Sequence, residues 1–150
     1  MGADTSATHI IFFIVAVIIA LSVAGALFMN IQSISTAATF GSRTLSEQLK
    51  TDITVINDPE MIPYNSSGSV YTFYVKNTGK IDLSTNEINT IIDGTLVTDG
   101  NINKTVIGGA AVWRTGDILK VNATITLNSG SHKIRVITDN GIDDEFEFKT

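Results

Sequence analysis

The chain contains no cysteine. Disulfide staples, thiolate metal centres and cysteine nucleophiles are thereby excluded, and a domain outside the cytoplasm must hold together by its own core. Histidine is nearly absent too: His9 and His132 are the two examples. They share no metal-ligand spacing, and both read as structural. Charge is thin at 17% of residues, with a net charge of −5 and a pI near 4.8. Nucleic acid asks for a clustered basic surface and is excluded as a partner. Basic residues are missing altogether before Arg43, so the charge asymmetry that usually orients a membrane helix is silent. Nucleophile elbow, phosphate loop, dinucleotide turn and paired catalytic carboxylates are missing as well. With no reactive group beside an evident activator, the expectation is a non-enzyme that takes no cofactor and no metal.

One stretch is the opposite of thin. Residues 10–29, IIFFIVAVIIALSVAGALFM, carry no charge, no proline and no amide side chain. At about 1.5 Å per helical residue they extend roughly 30 Å, the thickness of bilayer hydrocarbon. Backbone groups in lipid must be satisfied within the segment, so a single span has to be a helix. The leader MGADTSATH lacks Lys and Arg, and the apolar run is longer than a signal-peptide core, so the segment reads as a retained anchor in membrane lipid. The spacing of Gly2 and Ser6 matches a myristoylation pattern by chance. Small residues recur every four positions at Ala16, Ala20 and Ala24, with Ser22 and Ala26 as a second pair. Such rows let helices approach closely, and they predict self-association.

The helical pattern does not stop at Met29. Leu27, Ile31, Ile34, Ala38, Gly41, Leu45 and Gln48 or Leu49 follow at spacings of three and four among Gln, Ser and Thr, a heptad-like seam weakest at Ala38 and Gly41. From Thr51 the period becomes two. Tyr71, Phe73 and Val75 alternate with polar neighbours, as do Leu119, Val121, Ala123, Ile125 and Leu127. Asp93-Gly94 and Asn140-Gly141 mark hairpin turns, and Val112-Trp113 and residues 94–99 read as further short strands. Seven or eight strands with frequent turns predict an all-β immunoglobulin-like sandwich, with Trp113 as its core anchor. The expected organisation is a short tail over 1–9, a transmembrane helix over 10–29, a helical neck over 30–50 and the β-sandwich over 51–150.

The remaining features are modest. Asp139, Asp143, Asp144 and Glu145 cluster, but they lack the spacing of a calcium loop, and alternation sends Asp143, Glu145 and Glu147 to solvent. Asn65, Asn103 and Asn122 each begin an Asn-x-Ser/Thr glycosylation triplet, Asn122 being the one expected to point outward from a strand. The open edge strands of the sandwich are expected to pair with neighbours.

The start THIIFFIVAVIIALSVAGALFMNIQSIS and the segments VYTFYVKNTGKIDL, VWRTGD and HKIRVITDNGIDDEFEF together resemble the FlaF/FlaG family of archaellum accessory proteins, with residues 10–35 closer to the FlaG branch. The resemblance implies a static, stator-type part of the archaeal swimming motor. It implies a single-pass anchor in the cell membrane, with the sandwich between membrane and surface layer. Such proteins assemble with themselves and with a FlaF-like partner, whose own sandwich grips the surface-layer protein. No catalytic residue is carried over. Two other readings stand beside it. Archaellin- or pilin-like filament subunits also join an apolar helix to a β-domain, but carry a basic leader before a glycine, and Met1-Gly2-Ala3 has none. A membrane-tethered binding or adhesion domain would need a concave site with converging aromatics or carboxylates.

Overall fold

Forty-nine consecutive residues, Gly2–Lys50, form one α-helix, α1, in the computed structural model, which describes residues 2–150 with side chains from residue 6 on. The myristoylation pattern begins at Met1, outside the described residues. Residues 2–9, expected as a tail, belong to the helix, since nothing in that stretch breaks one. Helical structure also runs unbroken through Gly25 and Gly41, where an added Cβ would meet nothing. Two compact units divide the chain, residues 1–43 and residues 44–150. The first is helix alone. Three of its hydroxyls bond back to the helix: Ser22 Oγ donates to the Ile18 carbonyl at 2.8 Å, Thr36 to Gln32 and Thr39 to Ser35 at 2.9 Å each. A back-bonded Ser22 can sit in hydrocarbon without leaving a polar group unpaired.

The second unit holds the last two turns of α1 and nine strands: β1 (Ile53–Val55), β2 (Tyr64–Asn65), β3 (Val70–Asn77), β4 (Asn89–Ile92), β5 (Thr95–Leu96), β6 (Ile102–Val106), β7 (Ile118–Thr124), β8 (Ser131–Ile137) and β9 (Asp143–Lys149). They form two antiparallel sheets, ordered β1-β3-β7-β6, with β2 also on β3, and β5-β4-β8-β9. Setting aside β2 and β5, the first order is the A-B-E-D sheet of an immunoglobulin-type sandwich and β4-β8-β9 is its C-F-G sheet. The missing inter-sheet disulfide is replaced by packing.

Register explains that packing. Tyr71 pairs with Ala123, Phe73 with Val121 and Val75 with Leu119, so every inward pair of β3 and β7 is apolar, and the largest ring lies opposite the smallest side chain. From the facing sheet come Ile92, Ile134, Val136 and Phe148. Phe148 meets Phe73 edge to face, with centroids 5.1 Å apart, which ties the layers at the middle of the core. Trp113 is fully buried, and its Nε1 donates to the Asp117 carbonyl at 2.9 Å.

Three local expectations change. Trp113 is not on a strand of its own; it forms an isolated bridge with Leu83, exchanging two backbone hydrogen bonds of 3.0 and 3.2 Å. Residues 94–99 yield only the two-residue β5. Asp93 and Gly94 both take positive φ (49° and 78°), a tight primed turn, and pairing with β4 ends after two residues. Finally, β2 had no alternation to betray it and was not expected.

Candidate functional site

Among the described residues one helix is long and apolar enough to cross a membrane, and none of its most apolar window is buried by the rest of the chain. Ala16, Ala20, Ala24, Ser22 and Ala26 all lie exposed along α1, as do the seam residues Leu27, Ile31, Ile34, Ala38, Leu45 and Leu49. Bulkier neighbours such as Phe12, Phe13 and Leu21 are equally bare, at 68–70% exposure. Exposure on this scale over five helical turns is untenable in water, which makes lipid or other helices its natural surroundings.

The seam does not carry on into the sandwich. In the last two turns Leu45 and Leu49 face outward, while Ser46 and Gln48 are half-buried, and Gln48 reaches the sandwich. Its Nε2 donates to the Asn140 carbonyl at 2.9 Å. The Asn140 amide in turn donates to Thr51 Oγ1, and that hydroxyl donates to the Glu47 carbonyl at 2.9 Å. On the other side, the end of α1 and the next residues lie against the turn after β3. The Lys80 amide donates to the Lys50 carbonyl at 2.7 Å, and the amides of Thr78 and Gly79 both donate to the Asp52 carbonyl. Thr78 Oγ1 adds a 2.6 Å bond to Asp52 Oδ2. The last carbonyls of a helix lack intrahelical partners, and here one of them is taken up by the domain itself. The β8–β9 turn and the β3 turn thus hold residues 47–52 between them.

Two residues make that grip possible. A Cβ on Gly79 would lie 2.6 Å from both the Lys50 carbonyl oxygen and the Asp52 nitrogen, so only glycine allows the approach. Asn77 is fully buried beneath it. Its amide donates to the carbonyls of Ile81 (2.9 Å) and Trp113 (3.1 Å), and its oxygen accepts from the Gly79 amide (3.0 Å). All three of its polar valences toward this turn are used, which is the condition for a buried amide to stabilise. In sequence, Asn77-Thr78-Gly79-Lys80 and Asp139-Asn140-Gly141 each have only the composition of a turn. Both motifs were visible; nothing local told that they converge.

The acidic cluster is absorbed by cross-strand pairs on the outer face of the second sheet. Arg135 Nε lies 2.7 Å from Asp143 and 3.8 Å from Glu145, and Lys133 Nζ lies 3.3 Å from Glu145 and 3.6 Å from Glu147. The hydrogen bond from Arg135 holds the Asp143 carboxyl below its usual range. Asp144 points the other way and accepts the Val55 amide at 2.7 Å, joining β9 to β1. Among the described residues no group of three or more acidic or histidine side chains is placed to hold a metal ion.

The edges are blunted. β1 and β5 are short; part of β9 is covered where the Lys149 amide donates to the Pro59 carbonyl at 2.8 Å. On β6, Lys104 points across the open side of the sandwich, its Nζ 2.7 Å from the Ile88 carbonyl. A lysine turned inward on an edge strand is a common guard against strand addition. Of the three triplet asparagines, Asn65 on β2 and Asn103 on β6 are exposed. Asn122 lies mid-sheet on the face opposite buried Val121 and Ala123, half-buried, accepting from Thr72 Oγ1 at 2.9 Å with Asn103 on its other side.

The arrangement defines a class: a helix of membrane-spanning length and apolarity joined to an immunoglobulin-type β-domain, with its polar groups spent on structure. Comparison makes it specific, and the chain belongs to the archaeal-type flagellin family, whose model matches residues 3–148. It is 32% identical over 142 residues to flagella-related protein G of Methanocaldococcus jannaschii, a match covering 93% of this chain and 92% of that one. With the protein of the same name from Methanococcus voltae it shares 33% over 139 residues, 90% of each chain. Among solved structures it is similar to the archaellum periplasmic stator protein FlaG from Sulfolobus acidocaldarius, at 16% identity and a TM-score of 0.46, covering 65% of this chain and 99% of that one. The complex of FlaF and FlaG from the same organism is similar at 18% identity and a TM-score of 0.43, over 62% and 90% of the two chains.

Proposed function

We propose that this chain is a non-enzymatic structural component of the archaellum, a stator-type protein anchored in the cell membrane by α1. The observation that carries the reading is the near full-length relation to flagella-related protein G in a chain whose most apolar helical window is wholly unburied. In this reading the sandwich lies outside the cytoplasm, between membrane and surface layer. It docks a FlaF-like partner, and through that partner the surface-layer protein, so that torque has a fixed point to act against. Self-association is assigned to α1, because the sandwich edges are guarded while the row Ala16, Ala20, Ala24 is open.

The test is purification of the full chain from native membranes in mild detergent, with the co-purifying proteins identified by mass spectrometry. A FlaF-like protein and other archaellum components are expected. Release of the chain by carbonate wash, without detergent, would count against the anchor. In the same preparation Ala20→Ile is expected to weaken chemical cross-linking between copies severalfold by holding the helices apart, with the sandwich untouched.

A second reading has an observation in its favour: the matching family model is that of archaeal-type flagellin. A filament subunit would have its helix in a filament core instead of a bilayer. The mature amino terminus separates the two, since a start at Ala3 or later indicates filament-type processing.

A further inference from the structure

His132 is used by neither the anchor nor the grip on residues 47–52. It stands at the start of β8 with its side chain 12% exposed, and its ring lies 5.7 Å from that of Phe148 between centroids. Nδ1 is 2.6 Å from Asp93 Oδ2, and Nε2 is 2.7 Å from the Asn128 carbonyl oxygen. Both neighbours are acceptors. A neutral imidazole has a single N–H and would turn a lone pair toward one of them; only the imidazolium donates to both.

The charges around the ring come from few places. Asp93, in the β4–β5 turn, is the carboxylate that faces it, and it also accepts the Lys133 amide at 2.9 Å. On β8, the Lys133 side chain runs to Glu145 and Glu147 on the outer face. From β9, Phe148 offers an apolar face, and the adjacent Lys149 is engaged with Glu60 at 2.8 Å. The loop after β7 presents only a carbonyl. Hydrogen bonding to Asp93 first, and then to the Asn128 carbonyl, raises the His132 pKa above its ordinary value. Partial burial works against the Asp93 charge, but the bonds from the Lys133 amide and from His132 outweigh it and hold that carboxyl low.

What the ring pins is the end of the sandwich opposite Lys50. The Asn128 carbonyl also accepts Thr150 Oγ1 at 2.7 Å, and Gly130 and Thr150 exchange backbone bonds of 3.2 and 3.1 Å. Ser129, Lys149 and Thr150 line an open groove of about 560 Å³ together with Glu60, Tyr64 and Leu127.

We propose that His132 is a proton-operated latch: charged, it staples the 128–130 loop and the end of β9 to the Asp93 turn, and losing its proton frees the part of the groove that Ser129 and Thr150 line. Because the folded state holds the proton more tightly than the unfolded chain, the stabilisation is complete below the ordinary histidine pKa of about 6.5. It is lost as pH rises through the higher folded value. That the latch meets the pH of the surrounding medium rests on the placement outside the cytoplasm proposed above; the latch itself does not.

Hydrogen exchange of the full chain in detergent micelles, corrected for the intrinsic pH dependence of exchange, reads it out. Protection of the Gly130 and Thr150 amides is expected to fall about tenfold for each unit by which the folded pKa exceeds the ordinary one. His132→Gln is expected to give low, pH-independent protection there, and Asp93→Asn to move the fall to lower pH. Flat wild-type protection, or an unaltered profile in His132→Gln, overturns the proposal. Should His132→Gln fail to fold, as Trp113 emission would report, NMR titration of the wild-type ring decides. A ring titrating at or below the ordinary value contradicts the latch.

Discussion

Replacing Gly79 with alanine is expected to open the grip on the end of α1 without unfolding the sandwich. The new methyl would sit 2.6 Å from two backbone atoms, the Lys50 oxygen and the Asp52 nitrogen. Backbone on both sides cannot turn away as a side chain can, so either residues 50–52 or the β3 turn must move. Overpacking of this kind costs about 1–3 kcal/mol. At the middle of that range the opened form rises roughly thirtyfold, with 1.4 kcal/mol for each factor of ten. Trypsin reports it, because Lys50 and Lys80 flank the contact and donate or accept its shortest backbone bond, 2.7 Å. Cleavage at both should accelerate together in the full chain, while cleavage after Lys104 stays at its wild-type rate. Unchanged cleavage at Lys50 would mean that the close approach contributes nothing to holding it.

The second large effect belongs to Asn77. Asn77→Ala removes three buried hydrogen bonds; the Trp113 carbonyl keeps the Leu83 amide and the Gly79 amide keeps the Asp52 carbonyl, so the Ile81 carbonyl is the group that loses its donor. An orphaned buried group costs about 1–3 kcal/mol and a lost bond whose partner stays paired about 0.5–1.5, so a loss of about 2–4 kcal/mol is expected. Thr78→Ala, one residue on, removes only an exposed hydroxyl bond to Asp52 and should cost less than about 1 kcal/mol. Denaturant unfolding followed by tryptophan emission measures both in the full chain. Trp113 is the sole tryptophan and is fully buried in the sandwich, so α1 contributes no signal. Equal midpoints for the two variants would remove Asn77 from its place at the centre of this turn.

Sequence legibility followed the range of the interaction. The apolar helix is a local property of twenty residues, and the strict alternation of β3 and β7 is a local property of seven or eight, so both could be read directly. The tight Asp93-Gly94 turn was equally visible, though its brevity, which shrinks β5 to two residues, was not. Convergence is another matter. Gln48, Thr51, Gly79 and Asn140 are separated by up to ninety-two positions and meet only because the two sheets bring their turns to one end. The end of the seam shows the same dependence on distant partners. Leu45 and Leu49 continue an apolar row, yet what the sandwich offers residues 44–50 is turn backbone, and an amide side chain answers that better than leucine. His132 was set aside as structural because its two acceptors, Asp93 and Asn128, lie on different elements.

The central claim is that α1 crosses the membrane and leaves the sandwich outside the cytoplasm. A chain without cysteine makes this directly measurable. Ser66→Cys places a single thiol on an exposed turn between β2 and β3, and a membrane-impermeant maleimide can be applied to intact cells. The account predicts full labelling before lysis. A thiol that labels only after the membrane is opened would contradict it.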